Sequence, residues 1–448
     1  MTRFVLFGLG MVGTSFLKII KKEGMFVPES WYAVDKCKSR AEVFASVGGL
    51  PSHYLTVNIK LKEYEPIFSL LDEGDYLLDF SSCQSNTDLL QICIEKNIHY
   101  LSTCSLPYEA PHESVPDYHD FCAYRDIKKH KKLSPATSII EFGMNPGMVS
   151  CFAKQAIKEI IKNDKGDFVN KHRTELQSLL DNGKYAEVAQ RLEVDIIHIS
   201  DIDVTELNFT PQENTVYSTW NVEAFCKETT APSEMSLGTC ADAENLRSIT
   251  QEYNPQDGFF LSHELSIHSR ERSYSPYGSF TGYIVPHEEI YTISQFLSIY
   301  ENDRLTYKPS VYFVYLPCPA SEKCLFEGFS DEFEGMNTHL ITSEDIAKGG
   351  EAVGIVIAGK NFTTRYFGNK LEAPLDEETP TILQVSASSF AAFRYMLDYP
   401  DKGFLFAEEL DDEKILEYAR AYLKEYISFE CPPLERTFFS KYRTLKSK

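Results

Sequence analysis

"FVLFGLGMVGTSFLKII", residues Phe4–Ile20, joins a short apolar run to three glycines and an amphipathic segment. The run Phe4–Phe7 is typical of a buried strand, and the apolar residues after the third glycine have the spacing of a helix that packs on a sheet. Between them the glycines follow the pattern G-x-G-x-x-G, in which the backbone approaches a pyrophosphate and the free amides of the helix start point at the anion. The residues of this predicted phosphate loop are Gly8, Gly10, Met11, Val12 and Gly13. The segment therefore favours a dinucleotide-binding unit over a turn that only caps a helix.

The second strand-like run, WYAVD, ends at Asp35, roughly twenty residues after the last glycine. A carboxylate at this position hydrogen-bonds the adenosine ribose and repels the 2′-phosphate of NADP. The basic residues that follow favour a phosphate instead, and they are Lys36, Lys38 and Arg40. We predict NAD as the cofactor, with NADP as the alternative that these basic residues leave open.

Strand-like and helical segments alternate from Asp35 to about residue 147. Helical crossovers between apolar strands are typical of a doubly wound parallel sheet, so we predict an α/β domain of the Rossmann class. Ligands bind at the carboxyl ends of such strands. The residues predicted to contact the cofactor at those ends are Ser81, Ser82, Thr103 and Cys104. Turn formation explains the serines equally well.

The last strand of this domain runs into Asn145-Pro146-Gly147, where we predict a boundary between an NAD-binding domain at 1–147 and a second domain at 148–379. Residues from about 164 to 192 are polar and helical, as in an insertion. The strand-like runs beyond them, STWNVEAFC among them, predict an α+β domain with a largely antiparallel sheet for substrate binding and dimerisation. A long apolar helix stops at Pro400, and residues 380–448 are candidates to pack back on the first domain.

The amino-acid composition limits which kinds of protein this chain can be and which partners it can bind. The 448 residues are 43% hydrophobic and 25% charged, which is typical of a soluble globular protein of two domains or more. A formal net charge of −22 argues against nucleic-acid binding and favours small cations such as polyvalent amines, although a plain acidic surface also explains it. Eleven cysteines, scattered through apolar runs, are typical of reduced thiols. No signal peptide or membrane-spanning run is found, so we expect a cytoplasmic protein that does not bind membranes.

Metal and hydrolase motifs lack the spacing that their chemistry needs. In HELSIH, His263 and His268 are five residues apart, whereas a metalloprotease helix needs its two histidines four apart. Cys318 and Cys324 form a pair without a second pair, which does not make a structural zinc site. The chain has neither a G-x-S-x-G elbow nor a P-loop. We therefore predict no metal site and no acyl or phosphoryl transfer.

One tryptophan suggests how a cation would be bound. Trp220 precedes Glu223, and Glu234 follows in APSEMSLGT. An indole face and a carboxylate together bind a diammonium ligand by a cation–π contact and a charge-assisted hydrogen bond. A core role for Trp220 remains open from the pattern alone. His287, in IVPHEE, reads equally well as a polar strand end.

Five segments resemble the corresponding parts of bacterial homospermidine synthases, within the saccharopine-dehydrogenase-like enzymes: GMNPGMVSCFAKQAI, STWNVEAF, APSEMSLGT, GYIVPHEEIYTIS and TILQVSASSFAAF. The resemblance extends from the glycine turn to the C-terminal helix. It implies a homodimeric enzyme with a retained NAD. Putrescine, or spermidine in its place, is oxidised to an imine. A putrescine then displaces ammonia, or 1,3-diaminopropane where spermidine was oxidised, and the bound NADH reduces the new imine to homospermidine.

The resemblance also implies roles for single residues. Trp220 would lie over the substrate or its iminium, and Glu234 would bind an ammonium group. Asn145, beside Pro146 in the cofactor site, would orient the substrate at the nicotinamide. Asp201 would supply charge at the amine channel, and His287 would line the pocket. A hydride transfer at a carbon bonded to nitrogen creates a cation, which an indole and carboxylates stabilise.

Two departures from the family bear on which amines are used. Leu106-Pro107-Tyr108 replaces a glutamate before Pro-Trp, with Glu109 as a nearby substitute, and Asp201 stands in place of a glutamate. Two alternatives remain. A net oxidoreductase of the saccharopine or carboxyspermidine dehydrogenase type needs cations for a carboxylate, which Arg270 and Arg272 would offer. A non-catalytic NAD sensor would lack the pocket residues, which this chain keeps.

Overall fold

The computed structural model describes residues 1–59, 63–81, 86–103, 117–130, 134–239, 250–254, 259–326, 333, 335–375 and 377–434. The chain divides into two compact units. The first comprises Met1–Cys151 and Ile382–Lys424, and the second comprises Phe152–Thr381 and Glu425–Lys448.

The strands are β1 (Phe4–Phe7), β2 (Trp31–Asp35), β3 (Tyr54–Thr56), β4 (Tyr76–Asp79), β5 (His99–Ser102), β6 (Ser138–Ile139), β7 (Val194–Asp203), β8 (Glu206–Leu207), β9 (Thr215–Ser218), β10 (Pro232–Ser236), β11 (Thr250–Asn254), β12 (Phe259–Leu265), β13 (Arg270–Ser275), β14 (Gly278–Val285), β15 (Ile299–Glu301), β16 (Arg304–Tyr307), β17 (Ser310–Leu316), β18 (Asn337–Leu340), β19 (Ile346–Gly359), β20 (Arg365–Ala373), β21 (Phe404–Leu405) and β22 (Tyr426–Glu430).

The α-helices are α1 (Met11–Lys22), α2 (Arg40–Ser46), α3 (Glu65–Phe68), α4 (Asn86–Lys96), α5 (Asp117–His130), α6 (Met148–Asn163), α7 (Asp167–Asp181), α8 (Tyr185–Arg191), α9 (Val222–Thr230), α10 (Glu289–Phe296), α11 (Pro319–Phe326), α12 (Pro380–Asp398) and α13 (Asp412–Leu423).

A seven-stranded sheet organises the first unit, in the order β21-β6-β5-β4-β1-β2-β3. Every neighbouring pair is parallel, so the carboxyl ends of all seven strands lie along one edge. The order of β1 to β6 is that of a doubly wound dinucleotide-binding domain. The predicted Rossmann class is confirmed.

Helix α12 packs on this parallel sheet. The Phe393 ring lies 5.6 Å from that of Phe4 in β1, and the Ser386 and Ser15 hydroxyls are 2.8 Å apart. Strand β21 then extends the sheet beside β6, but β22 pairs with β20 of the second unit. The C-terminal segment is therefore divided between the two units, because its last strand completes the other sheet.

The second unit is built on an eleven-stranded sheet, whose main path is β11-β12-β10-β17-β7-β19-β20-β22. Only β7 and β17 pair in parallel along this path; the other pairs are antiparallel, as predicted. An apolar cluster covers one face of the central strands, and its fully buried members include Met235, Ile284, Val314 and Ala352. The predicted polar helical segment near 164–192 forms α7 and α8.

The predicted strand through Trp220 is wrong. Strand β9 ends at Ser218, and α9 begins at Val222 because the Asn221 side chain caps it: the Ala224 N–H donates to Asn221 Oδ1 at 3.0 Å. Trp220 therefore lies in the turn between β9 and α9. An asparagine before a run of helix-forming residues is a recognisable N-cap, so the sequence did contain this signal.

Two global predictions can be checked on the part of the chain that the structure describes. All of its eight cysteines are free thiols. Within the same residues, no helix has both the length and the hydropathy needed to cross a bilayer.

Candidate active site

Each glycine of the first turn has a different steric environment. Gly8 has φ +91°, and a Cβ there would lie 2.7 Å from the backbone of Phe80 and Ser81. A Cβ on Gly13 would lie 2.3 Å from the carbonyl oxygen of Gly8, whereas one on Gly10 would meet nothing within 4 Å. The turn is thus tight at its first glycine, closely packed at its third and open at its second, which is where a pyrophosphate approaches.

The start of α1 is also open to an anion. Met11 and Val12 are in its first turn, and no side chain caps the helix at Gly10. Helix N–H groups that lack a side-chain acceptor bind phosphate oxygens. The geometry of this turn therefore fits a dinucleotide.

Asp35 lies beside this turn at the end of β2. Its Oδ2 accepts the Leu9 N–H at 2.7 Å, and its Oδ1 accepts the Cys37 N–H at 2.7 Å. Two hydrogen bonds fix the carboxylate while each oxygen keeps a lone pair for a ribose hydroxyl. This arrangement fits the predicted ribose contact.

Polar residues follow the neighbouring strands β4 and β5 at the same edge. Ser81 and Thr103 are both buried, and the Ser81 N–H donates to Asp79 Oδ1 at 2.9 Å. Burial raises the pKa of Asp79 to about 6, although its hydrogen bonds to Ser81 and to the Tyr100 phenol oppose the rise. Ser82 and Cys104, and the segment Leu106–Glu109 that departs from the family, lie outside the described residues.

The stretch after β6 exposes a single side chain. From 136 to 154 every residue is buried except Asn145, which is partly exposed; Pro146 beside it is buried. The chain makes a tight turn here: Gly147 has φ +114°, and a Cβ added at that position would lie only 2.7 Å from the Phe142 Cα. Asn145 therefore lies at the apex of a buried loop at the carboxyl edge of the parallel sheet.

The central sheet of the second unit carries acidic side chains on the face opposite its apolar cluster. Asp201 and Asp203 alternate along β7 and so share one face. Glu351 of β19 pairs directly with Asp203, and Tyr315 of β17 with Asp201. Glu234 of β10 belongs to the same face, because Ser236, two residues on, pairs with Val311 of β17. The four carboxyl groups are at most 4% exposed.

Crowding of these carboxyl groups shifts their ionisation. Burial and the neighbouring Asp201 and Asp203 hold the pKa of Glu351 well above its usual range. Burial also raises the pKa of Asp203, but hydrogen bonds from the Thr205 N–H at 2.8 Å and the Thr219 hydroxyl at 3.0 Å oppose that rise. A cation bound here would relieve the repulsion between these groups.

His287 forms a second charged group on the same face. Its ring stacks on Phe313 of β17 with centroids 4.4 Å apart, and its Nδ1 pairs with Glu289 and lies 3.5 Å from Glu288. Burial lowers the pKa of His287, but Glu289, Glu288 and Glu228 outweigh it and hold that pKa well above its ordinary value, which favours the imidazolium form. Glu228 also acts on Tyr315, which joins this group to the Asp201 group.

Trp220 lies next to the acidic face. Its neighbour Thr219 donates a hydrogen bond to Asp203 Oδ2, and the Trp220 side chain is only partly buried. Glu223, which the sequence placed near it, is 80% exposed and pairs with Lys227 at 2.9 Å. The second unit thus brings together Asp201, Glu234, His287 and the turn of Trp220, but not Glu223.

Sequence reasoning missed several acidic residues on this face and on the helices beside it. They are Asp203, Glu228, Glu288, Glu289 and Glu351. Two of them had a visible signal: Asp203 repeats Asp201 at strand spacing in an apolar run, and Glu351 directly precedes the apolar run AVGIVIAG.

The geometry also bears on the metal predictions. HELSIH is not one helix, since β12 ends at Leu265 and a short 3₁₀ turn carries His268. Cys318 is 3.1 Å from the Ser321 hydroxyl, and Cys324 donates to the Thr215 carbonyl at 2.9 Å. Ligand atoms of His287, Glu288 and Glu289 do lie within 4.8 Å of one another. A metal ion there would have to displace the proton of His287, which the raised pKa of that imidazole makes unfavourable.

The arginines that would favour a carboxylate substrate already have protein partners. Arg270 donates to the Tyr283 phenol at 2.7 Å, with its guanidinium 4.5 Å from that ring, and the charges of Arg270 and Glu322 act on the same phenol. Arg272 contacts the Ser279 hydroxyl at 3.4 Å. The Arg270 guanidinium therefore already interacts with the Tyr283 phenol and lies near the Glu322 carboxylate.

Comparison with known families and proteins identifies relatives along nearly the whole chain. Residues 4–134 match the saccharopine dehydrogenase NADP binding domain family. The homospermidine synthase of Mesorhizobium japonicum is 24% identical over 456 residues, covering 96% of this chain and 91% of the relative. That of Blastochloris viridis is 25% identical over 439 residues, covering 94% and 89%. The predicted resemblance to homospermidine synthases is confirmed.

Solved structures confirm the fold. The homospermidine synthase from Legionella pneumophila, crystallised in complex with NAD, superposes with a TM-score of 0.80 at 24% identity, covering 96% of this chain and 91% of that one. The saccharopine dehydrogenase (L-Glu forming) from Saccharomyces cerevisiae superposes with a TM-score of 0.53 at 9% identity, covering 96% of this chain and 100% of that one.

Proposed function

We propose that this protein is an NAD-dependent homospermidine synthase that transfers an aminobutyl group from putrescine to a second amine. The observation that carries the proposal is the buried acidic face of the second unit, with Asp201, Asp203, Glu234 and Glu351 on neighbouring strands. Carboxyl groups this crowded repel one another when ionised, and a polyamine supplies several ammonium groups on one apolar chain that would relieve the repulsion. The similarity to homospermidine synthases and the glycine turn of the first unit support the same conclusion.

The cofactor site is part of this proposal. Gly8, Gly10 and Gly13, with α1, would bind the pyrophosphate, and Asp35 would hold the adenosine ribose and select NAD. Ser81, Thr103 and Pro146 would line the cofactor from the strand ends. When bound, NAD accepts a hydride from the carbon next to a putrescine nitrogen and later returns it, so that the cycle has no net redox change.

The amine would be bound through its ammonium groups. Glu234 and Asp201 lie on strands separated by one intervening strand, β17, and are offset by two residues along the strand direction. These spacings separate their Cα atoms by about 12 Å. Two carboxylates at this separation can hold the two ends of an extended polyamine. Asp203 and Glu351 would then bind the ammonium group at the end of the polyamine far from the reacting carbon. Glu234 would bind the ammonium group nearest that carbon.

The reacting carbon becomes cationic when it loses hydride. The Trp220 indole would cover that iminium, because a ring face attracts a delocalised cation more than a neutral amine. Asn145, the exposed residue of its loop, would orient the substrate. The His287 imidazolium would hold Glu289 and Glu288 in place and keep the negative charge of this wall in balance.

Assembly and location follow the same resemblance. We propose a cytoplasmic homodimer. The retained alternative is a net NAD(P)-dependent oxidoreductase of the saccharopine or carboxyspermidine dehydrogenase type.

The proposal is tested by incubating the purified protein with putrescine and substoichiometric NAD, following amines by mass spectrometry and NADH by absorbance. We expect homospermidine and ammonia, with many product molecules per NAD and no accumulation of NADH. Steady NADH production, or turnover only with a carboxylated amine, would support the dehydrogenase alternative. Glu234→Gln should abolish product formation, whereas the matched variant Glu223→Gln, on an exposed helix surface, should leave it unchanged.

A further inference from the structure

The chain turns from β6 towards Asn145 through a residue in an unusual conformation. Glu141 has φ +51°, in the left-handed region that favours glycine, and is only 5% exposed. A glycine would adopt this conformation without steric cost. The presence of a long acidic side chain at a buried left-handed position indicates that the side chain itself has a role.

Hydrogen bonds fix the start of the loop that follows Glu141. The Glu141 N–H donates to Ser102 Oγ at 3.0 Å, and the Phe142 N–H donates to the Ser102 carbonyl at 2.8 Å. The Ser389 hydroxyl donates to the Phe142 carbonyl at 3.0 Å. Within the loop, the Gly143 N–H donates to the Pro146 carbonyl at 2.8 Å. The loop therefore has little freedom of its own, and the direction in which it leaves β6 determines where Asn145 lies.

The Glu141 carboxylate lies near Tyr124 of α5. It is close enough to the fully buried Tyr124 phenol to contribute to the raised pKa of that phenol, together with burial, Asp120 and Tyr100. The Tyr124 ring is held in turn by an edge contact with Phe404 of β21, at a centroid distance of 6.4 Å. Glu141 thus connects the base of the Asn145 loop to a helix and to the edge strand of the parallel sheet.

We propose that Glu141 is a positioning residue that acts through Asn145. Its backbone sets the left-handed turn, and its side chain, held against Tyr124, keeps the loop in the one orientation that directs the Asn145 amide at the substrate. Glu141 itself is buried beneath the loop and does not contact substrate. This inference rests on the proposed role of Asn145 in the proposed function.

A double-mutant cycle tests the dependence on Asn145. Glu141→Ala and Asn145→Ala should each lower kcat for homospermidine formation at least tenfold, with the Kd for NAD changed less than twofold. Because both act through the same amide, the double variant should be no slower than Asn145→Ala alone. Losses that multiply in the double variant would overturn the inference.

Two further substitutions separate positioning from backbone strain. Glu141→Gly removes the strain and the side chain together, so we expect an unchanged or higher Tm and a kcat still lowered at least tenfold. Glu141→Gln keeps the length and an oxygen acceptor beside Tyr124, so it should restore at least half of the wild-type kcat. Wild-type kcat in Glu141→Gly would show that the left-handed backbone alone suffices and would refute the positioning role.

Hydrogen exchange gives a readout that does not need the enzyme reaction. Glu141→Ala should increase amide exchange in the peptide spanning Gly143 to Met148, while Glu141→Gln and the exposed α4 control Glu95→Gln should not. If the wild type makes no homospermidine but this loop loses protection, the proposed function fails and the positioning role stands. If homospermidine forms and both protection and kcat persist in Glu141→Ala, the positioning role fails and the proposed function stands.

Discussion

Glu351 and Asp203 lie directly opposite each other on the antiparallel strands β19 and β7, with Asp201 two residues along on the same face. Hydrogen bonds from Thr205 and Thr219 stabilise the charge on Asp203. Glu351 beside it has its pKa held well above the usual range by burial and by both aspartates. The raised pKa favours the protonated form of Glu351 in the free protein, and an ammonium group that binds here would favour the carboxylate.

Glu351→Gln should weaken putrescine and spermidine binding at pH 8 by roughly 30-fold, because a buried hydrogen bond between charged groups is worth about 2 kcal/mol. The loss should become smaller as the pH is lowered, because the raised pKa of Glu351 favours its protonated form there. Isothermal titration calorimetry on the NAD-loaded protein measures both affinities. Glu271→Gln is the matched control, since Glu271 is a buried carboxylate on β13. Equal losses in the two variants would contradict a specific role for Glu351.

Glu271 also makes the stability of the protein depend on pH. Burial raises the pKa of Glu271 from 4.5 to about 8, so the folded state binds this proton more tightly than the unfolded state does. The stabilisation by that proton is complete below the unfolded pKa and is lost as the pH rises through about 8. Glu271→Gln, which stays neutral, should therefore raise Tm at pH 9 and change it little at pH 4. Thermal unfolding followed by circular dichroism would contradict this if the shift were the same at both pH values.

The two tryptophans report on different parts of the molecule. Trp31 is fully buried and stacks on Phe4 at 4.9 Å, whereas Trp220 is partly exposed beside the acidic face. Trp220→Ala should lower kcat by roughly 30-fold, because a desolvated cation–π contact is worth about 2 kcal/mol. The Kd for NAD should change little. Equal losses of turnover and of NAD affinity would argue against a cation–π role.

Fluorescence gives an independent measurement of the same contact. Putrescine should change the emission of the wild type but not that of Trp220→Phe, in which only Trp31 remains. A response that persists in Trp220→Phe would mean that the amine binds elsewhere or acts through the first unit.

The sequence predicted well those features that are encoded locally. The glycine turn and Asp35 lie within one βαβ unit, so their spacing alone indicates how they come together. Alternating apolar strands and helices were sufficient for the parallel sheet. The turn at Trp220 was missed although Asn221 is a good helix cap, because aromatic and β-branched residues around it suggested a strand.

The acidic face could not be predicted in full because it depends on pairing between distant strands. Asp203 and Glu351 are brought together only by the register of β7 on β19. A one-residue shift of that register would move Glu351 to the apolar face. Asp201, Glu234 and His287 were identified through resemblance, whereas the acids that share their environment had no motif of their own.

We predict that Asp35 decides between the two nicotinamide cofactors. Its carboxylate is fixed by the Leu9 and Cys37 amides, while the matching family is named for NADP. Asp35→Ala should weaken NAD binding at least tenfold. It should also reduce the difference in affinity between NAD and NADP, because the repulsion of a 2′-phosphate is removed while Lys36 and Lys38 remain. Calorimetry with both cofactors measures this. An unchanged Kd for NAD would mean that another residue holds the ribose.

The glycines of the first turn offer a matched pair of substitutions that separates folding from cofactor binding. A Cβ on Gly10 meets nothing within 4 Å, so Gly10→Ala should leave Tm unchanged but raise the Kd for NAD at least tenfold, since the methyl group occupies the space of the pyrophosphate. A Cβ on Gly13 would lie 2.3 Å from the Gly8 carbonyl oxygen, so Gly13→Ala must move α1 away from β1 and should cost about 1–3 kcal/mol of stability. Unfolding curves and NAD titrations on both variants test the pair. If Gly10→Ala bound NAD as tightly as the wild type, the pyrophosphate could not lie against this turn, and the proposed cofactor site would be wrong.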